Sequence, residues 1–190
     1  MNYTKTAISG VWIIEPVVFK DARGYFMEVY KQTEFEQHIG IINFVQENES
    51  CSTKGVLRGL HYQLNPFSQA KLVRVIQGAV LDVAVDIRQG SPTFGQSVAV
   101  ELSAENRRQL FIPHGFAHGF RVLSDKVIFT YKVDNPYNPA SERGIQYNDP
   151  AIGIDWNIKA DDRILLSDKD KNLPPLKKAE INFNYCYVND

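Results

Sequence analysis

The sequence predicts an all-β fold, a β-sandwich or jelly-roll barrel with one short helix near the N-terminus and a trailing C-terminal arm. Three observations carry that prediction. About ten short β-prone runs follow one another at roughly 8–12-residue spacing, separated by turn residues. Lys71 to Ile87, KLVRVIQGAVLDVAVDI, contains two alternating runs that meet at Gln77-Gly78, the pattern of a hairpin. Only one segment, Lys31 to His38, has the pattern of an amphipathic helix.

In chain order, Gly10 to Phe19 (GVWIIEPVVF) reads as a strand broken at Glu15-Pro16. Lys20 to Gly24 forms a turn with Gly24 in the left-handed position, and Tyr25 to Tyr30 resumes β character. The helix, KQTEFEQH, is capped by Thr33 with Glu36 three residues on, a capping-box spacing, and Gly40 ends it. His38 falls at its C-terminus, where a cation suits the dipole. Asn43 to Ser50 is a strand, and Leu64 to Ala70 is a loop. On the second run after Gly78, Asp82, Ala84 and Asp86 share one face, and Val83 and Val85 take the other. Gly95 to Glu101 and Arg107 to Ile112 are strands, Pro113-His114-Gly115 turns into Phe116 to Val122, and Val127 to Val133 follows. Asp134 to Asp149 reads as a long irregular loop. Beyond Trp156 the pattern gives way to charged turns, including LLSDKD at 165–170. The expectation is one domain over 1–190, with the jelly roll at about 4–156 and the arm at 157–190, and no internal repeat.

Composition narrows the function. A chain of 190 residues can bury a substantial core, and 44% hydrophobic with 23% charged residues is ordinary for a globular protein. A net charge of −1 argues against nucleic-acid binding by bulk charge. Cys51 and Cys186 form neither a CxxC pair nor a disulfide framework, which suits a reducing compartment. MNYTKTAISG lacks the apolar run of a signal peptide, and no stretch approaches a membrane span. A cytoplasmic protein without nucleic-acid or membrane partners is expected. The aromatic load, 11 Phe, 9 Tyr and 2 Trp, suits a core, a ligand pocket or an oligomer interface.

The chemistry centres on Gly55 to Gln63, GVLRGLHYQ. Arg58 and His61 are three residues apart, so on a regular strand they point to opposite faces. Gly59 lies between them, where a bulge brings both heads into one cavity. His61, Lys71 and Tyr131 each occupy a position where an inward apolar residue is expected. Burial of such groups costs free energy unless they are paired, and a shared site explains several at once. His is the natural base near neutrality, Lys can hold charge against an oxyanion, and Tyr is a weak acid. The set suits proton abstraction beside a carbonyl followed by reprotonation. Packing or a rim salt bridge is the plainer reading of each residue alone. For a metal, His61, His114 and His118 are the only candidates besides His38. They lack the usual pair of His one residue apart with a nearby Glu, and no metal or other cofactor is expected.

Four motifs in this order, GVLRGLHYQ, QAKLVRVIQGAVLDVAVDIRQGSPTFGQ, LSAENRRQLFIPHGFAHGF and YNDPAIGIDW, resemble the dTDP-4-dehydrorhamnose 3,5-epimerase family. The resemblance runs from about Thr4 to Asp170. It implies a metal-free, cupin-type jelly roll, a homodimer, and inversion at carbons 3 and 5 of a dTDP-linked 4-keto-6-deoxyhexose on the path to dTDP-L-rhamnose. It implies His61 as the base, Tyr131 as the proton donor, Lys71 at the enolate, and Asp170 as the carboxylate orienting His61, with Asp82 as the rival for that part. Arg23 with Glu28, the run Gln46-Glu47-Asn48, Arg58, His118, Glu142 and Lys169 match substrate-contacting positions, the first two groups reaching across the dimer. Arg23 and Arg58 suit a diphosphate, and Tyr137 suits stacking on the thymine. His114 stands where the resemblance has Glu, Pro136 precedes Tyr137 where an aromatic is common, and Asn157 follows Trp156 in place of Pro. A relative inverting one carbon or isomerising the keto group, and a non-catalytic sugar-nucleotide-binding module, are the competing readings. The aromatics Trp12, Phe19, Tyr25 and Phe26 suit a segment that adds to a partner's sheet.

Overall fold

The computed structural model describes residues 1–186, so the last four positions of the predicted arm lie outside them. Strands β1 (Asn2–Lys5), β2 (Trp12–Glu15), β10 (Gln109–Ile112), β7 (Lys71–Gln77), β12 (Lys126–Val133) and β5 (Gln46–Thr53) form, in that spatial order, a six-stranded antiparallel sheet. A five-stranded sheet runs β13 (Glu142–Gly144), β6 (Leu57–Gln63), β11 (Phe116–Val122), β8 (Ala79–Asp86) and β9 (Ser97–Ser103). β3 (Val18–Asp21) and β4 (Gly24–Met27) make a separate ribbon. The two large sheets face each other without closing, a jelly-roll sandwich of the predicted cupin type.

Alternation within each strand decides what lies between the sheets. Val73 and Val75 on β7, Leu110 and Ile112 on β10 and Phe129 on β12 meet Val80 and Ala84 on β8 and Phe120 on β11. The intervening residues of β8, Leu81, Val83 and Val85, face outward and are buried as well. Trp156 and the arm that follows it cover them, with Leu166, Leu176 and Phe183 of the arm laid over the outer face of the five-stranded sheet. Arg121 fixes the arm from below. Its guanidinium donates to the carbonyls of Trp156 at 2.8 Å and Asn157 at 2.5 Å, and pairs with Asp162. A third core, with Ile14, Phe35, Leu72 and Phe111, lies under helix α1 (Gln32–His38), and Trp12 packs there.

Four expectations need correction. Gln77-Gly78 does not close a hairpin, because β7 and β8 lie in different sheets. The turn is a corner, and two alternating runs joined by a glycine look the same either way, since both sheets have one face in the core. Gly78 sits at φ +78, and a Cβ there would meet the Lys126 carbonyl oxygen at 2.0 Å. Thr33 does not cap α1; the helix begins at Gln32 after an extended Lys31 with no side-chain cap. The first turn is held instead through Glu34, which pairs with the Met1 ammonium and with Lys31, both at 3.1 Å. The strand expected at 43–50 runs from Gln46 to Thr53, and the loop expected at 134–149 contains β13. Among the described residues, no helix is long and apolar enough to cross a membrane.

Candidate active site

The bulge expected at Gly59 is present. Opposite β11, His61 pairs with His118 and Arg58 with Phe120, so β6 uses three steps where β11 uses two. The extra residue turns Arg58 and His61 onto one face, and both line a cavity of about 570 Å³ between the sheets. Only glycine fits the crossing. Gly59 has φ +112, and a Cβ there would lie 2.6 Å from the Gly119 Cα.

The cavity gathers His61, Lys71, His118, Tyr131, Tyr137, Glu142 and Asp170, with Arg58 and the apolar walls Phe120 and Phe129. His61 Nε2 meets Asp170 Oδ1 at 2.5 Å. Asp170 is buried on α2 (Asp168–Lys171), and Ser167 caps that short helix. The Ser167 hydroxyl donates to Asp170 Oδ2 at 2.8 Å and accepts from the Asp170 N–H at 3.1 Å. Burial raises the Asp170 carboxyl, but the hydrogen bond and charge of His61, then Ser167, outweigh it and leave its pKa below the ordinary value. Asp82, the rival partner, is fully buried and accepts instead from His118 Nε2 at 2.9 Å. Burial lowers the His118 pKa against the pull of Asp82.

Lys71 starts β7 at the cavity wall, where burial brings its pKa down to about 8, with Asp82 and Glu142 opposing the shift. Burial also raises the Tyr131 phenol, partly countered by Arg58. Arg58 is anchored by donating from Nε and Nη2 to Ser52 Oγ at 3.2 and 3.0 Å. At the mouth, Tyr137 Oη donates to Glu142 Oε2 at 2.6 Å, and Lys169 pairs with the same carboxylate. Burial raises Glu142, yet Lys169 and Tyr137 hold its pKa below the ordinary value.

Some expected contacts fall elsewhere. Arg23 and Glu28 do not line this cavity. Arg23 is at the tip of the β3–β4 ribbon, 89% exposed and paired with Asp21. None of Gln46, Glu47 and Asn48 lines this cavity, although the pairing of β5 with β12 sets Asn48 opposite Tyr131, to which its side chain hydrogen-bonds. Gln46 accepts from the Tyr137 N–H at 3.2 Å. Glu47 takes the other face of the strand and pairs with Lys132 at 2.8 Å. Ser52, Ser167 and the Asp82–His118 pairing escaped the sequence reading. Ser167 alone carried a signal, since a serine three residues before an acid is a cap spacing.

Comparison with known proteins agrees with this architecture. The family model described as dTDP-4-dehydrorhamnose 3,5-epimerase matches residues 5–178. The enzyme of that name from Shigella flexneri is 58% identical over 173 residues, 90% of this chain and 94% of the relative. A Legionella pneumophila 3,5-epimerase, solved in complex with dTDP-4-keto-L-rhamnose, superposes with a TM-score of 0.93 at 48% identity, covering 98% of this chain and 99% of that one. The 3′-monoepimerase of Streptomyces bikiniensis, in complex with dTDP-quinovose, gives 0.84 at 37% identity, covering 90% and 86%. With a family model spanning nearly the whole chain and relatives matched end to end, the chain belongs to the dTDP-4-dehydrorhamnose 3,5-epimerase family.

Proposed function

We propose that the protein epimerises carbons 3 and 5 of dTDP-4-dehydro-6-deoxy-D-glucose to give dTDP-4-dehydro-L-rhamnose. The observation that carries the reading is a histidine bonded to a buried carboxylate in the same cavity as a lysine and a tyrosine. A ketone at carbon 4 acidifies the C–H bonds on both flanking carbons, and both carbanions place their charge on one oxygen. His61 donates from Nε2 to Asp170, so Nδ1 keeps the lone pair and takes the proton. Asp170, held as a carboxylate, stabilises the imidazolium that results. Lys71 meets the enolate oxygen, a contact that strengthens as charge develops there. Tyr131 returns a proton to the opposite face, and its raised pKa keeps it protonated for that step. His118, fixed by Asp82, and Glu142 with Lys169 hold the sugar nucleotide, while Gln46, Asn48 and Tyr137 border the base. Arg58 meets the diphosphate with the guanidinium N–H groups that Ser52 leaves free.

Arg23 and Glu28 enter the reading through a second copy. The ribbon that carries Arg23 also presents Phe19 and Phe26, 61% and 67% exposed, as a partner-binding surface would. A homodimer in which each ribbon completes the other's cavity accounts for both facts. The cytoplasm is the compartment we assign, since Cys51 and Cys186 are exposed free thiols that suit a reducing one.

The test is deuterium uptake from heavy water into the 4-keto sugar nucleotide, read separately at carbons 3 and 5. Uptake with inversion at both is expected. Uptake at carbon 3 alone would make the protein a single-carbon epimerase, and no uptake would make it a binding module.

A further inference from the structure

Lys71 is the first residue of β7, and its register neighbours are Ile112 and Val133, each the last residue of its own strand. The lysine therefore sits where three strands end together. Terminal residues are where ladder hydrogen bonds open first, so its position depends on what joins the chain just beyond those ends. Ala70 precedes Lys71, Asp134 follows Val133, and His114 lies two residues past Ile112. Asp134 gathers all three. Its Oδ1 accepts from the Ala70 N–H at 2.8 Å, and its Oδ2 from His114 Nε2 at 2.7 Å. Neighbouring bonds run the same way: Asn135 Nδ2 donates to the Ser68 carbonyl at 2.6 Å, and His114 Nδ1 meets Ser68 Oγ at 3.2 Å. Neither His114 nor Asp134 lines the cavity.

We infer that His114 and Asp134 form a positioning clamp for Lys71. Asp134 joins the entry to β7 with the exit of β12, beside the Gln69 and Asn135 side-chain bonds, and His114 adds β10, closing all three strand ends. The ammonium then stays at the depth where the enolate oxygen forms, because the first residue of β7 cannot fray. A displacement of about 1 Å at a reacting centre costs on the order of 10²-fold in rate. The inference rests on the role assigned to Lys71 above.

The full chain is tested for deuterium uptake at carbon 3, for affinity toward dTDP alone, and for its urea midpoint. Uptake by the unaltered chain is measured first, and its absence would count against the functional reading itself. His114→Ala is expected to slow uptake by about 10–10²-fold while dTDP affinity stays within roughly twofold. His114→Gln, whose amide N–H can still reach Asp134, should recover most of the rate. Full-rate uptake in His114→Ala, no recovery in His114→Gln, or equal losses of uptake and dTDP affinity would each overturn the clamp. If His114→Ala does not fold, Asp134→Asn carries the test. It keeps an acceptor for the Ala70 N–H but removes the charge facing His114, and slowed uptake with dTDP affinity intact is again the supporting result.

Discussion

Each side chain proposed to handle a proton has its own measurable signature. His61→Ala removes the proposed base for both carbons, so uptake at carbons 3 and 5 should vanish together. Tyr131→Phe keeps the ring and removes the acid, so uptake at carbon 3 should persist. Inversion at carbon 5 should then fall by roughly 10²–10⁴-fold, the usual share of a positioned acid, as read by NMR of the product. Full-rate inversion in Tyr131→Phe would move the acid role to another group. In its proposed role at the enolate, Lys71 sets a pH limb. Its pKa of about 8 means it is charged below that pH and neutral above, so activity should fall as pH rises through about 8. Lys71→Arg keeps a charge at high pH and should shift that limb upward, whatever it does to the maximal rate. The stability sign follows from the same burial. The folded value lies below the ordinary 10.5, so charging Lys71 weighs against folding below pH 8, and the penalty fades as pH climbs toward 10.5.

At the scale of elements, the β6 bulge decides whether Arg58 and His61 share a cavity. Gly59→Ala would push a Cβ to within 2.7 Å of the His118 carbonyl oxygen at a backbone angle that suits glycine. Relief requires the bulge to open or β11 to move away, at a cost of about 1–3 kcal/mol for the strained backbone alone. A lowered urea midpoint with uptake reduced beyond the loss of folded protein is the expected result. Wild-type uptake in a stable Gly59→Ala protein would show that the bulge is dispensable. The short α2 acts in a similar way. The Ser167 cap fixes the Asp170 backbone and carboxylate together, which lets a four-residue helix present a charge to His61.

For the whole molecule, the separation of Arg23 from the cavity makes a prediction about assembly. If each ribbon completes the partner's cavity, Arg23→Ala and His61→Ala are defects in different parts of the same composite site. Mixing the two inactive proteins under exchange conditions should form hybrids with one intact cavity, restoring up to roughly a quarter of wild-type activity by statistical assortment in a two-fold pair. No recovery despite demonstrated exchange would place Arg23 outside the reaction. A monomeric mass by light scattering at micromolar concentration would exclude the dimer itself.

Period-2 runs, turn glycines and the single helical segment made the all-β class legible in the sequence, because local alternation follows directly from one buried face per sheet. The motifs around His61, Lys71, Tyr131 and Asp170 were legible as a family resemblance, and Gly59 marked the bulge because no other residue fits such an approach. Pairing was not legible. A glycine between two alternating runs specifies a reversal but not which strand lies alongside, so the corner at Gly78 read as a hairpin. The choice between Asp170 and Asp82 depended on the chain returning α2 to β6 across a sequence separation of 109, a contact between distant segments that neither encodes alone. Within this chain Glu47 pairs with Lys132 across β5 and β12, a partner that the spacing along β5 alone does not specify. Local chemistry and spacing determined which residues this chain brings to a site. Long-range packing of the arm and the sheets decided which of them meet, because that energy is shared among residues far apart in sequence.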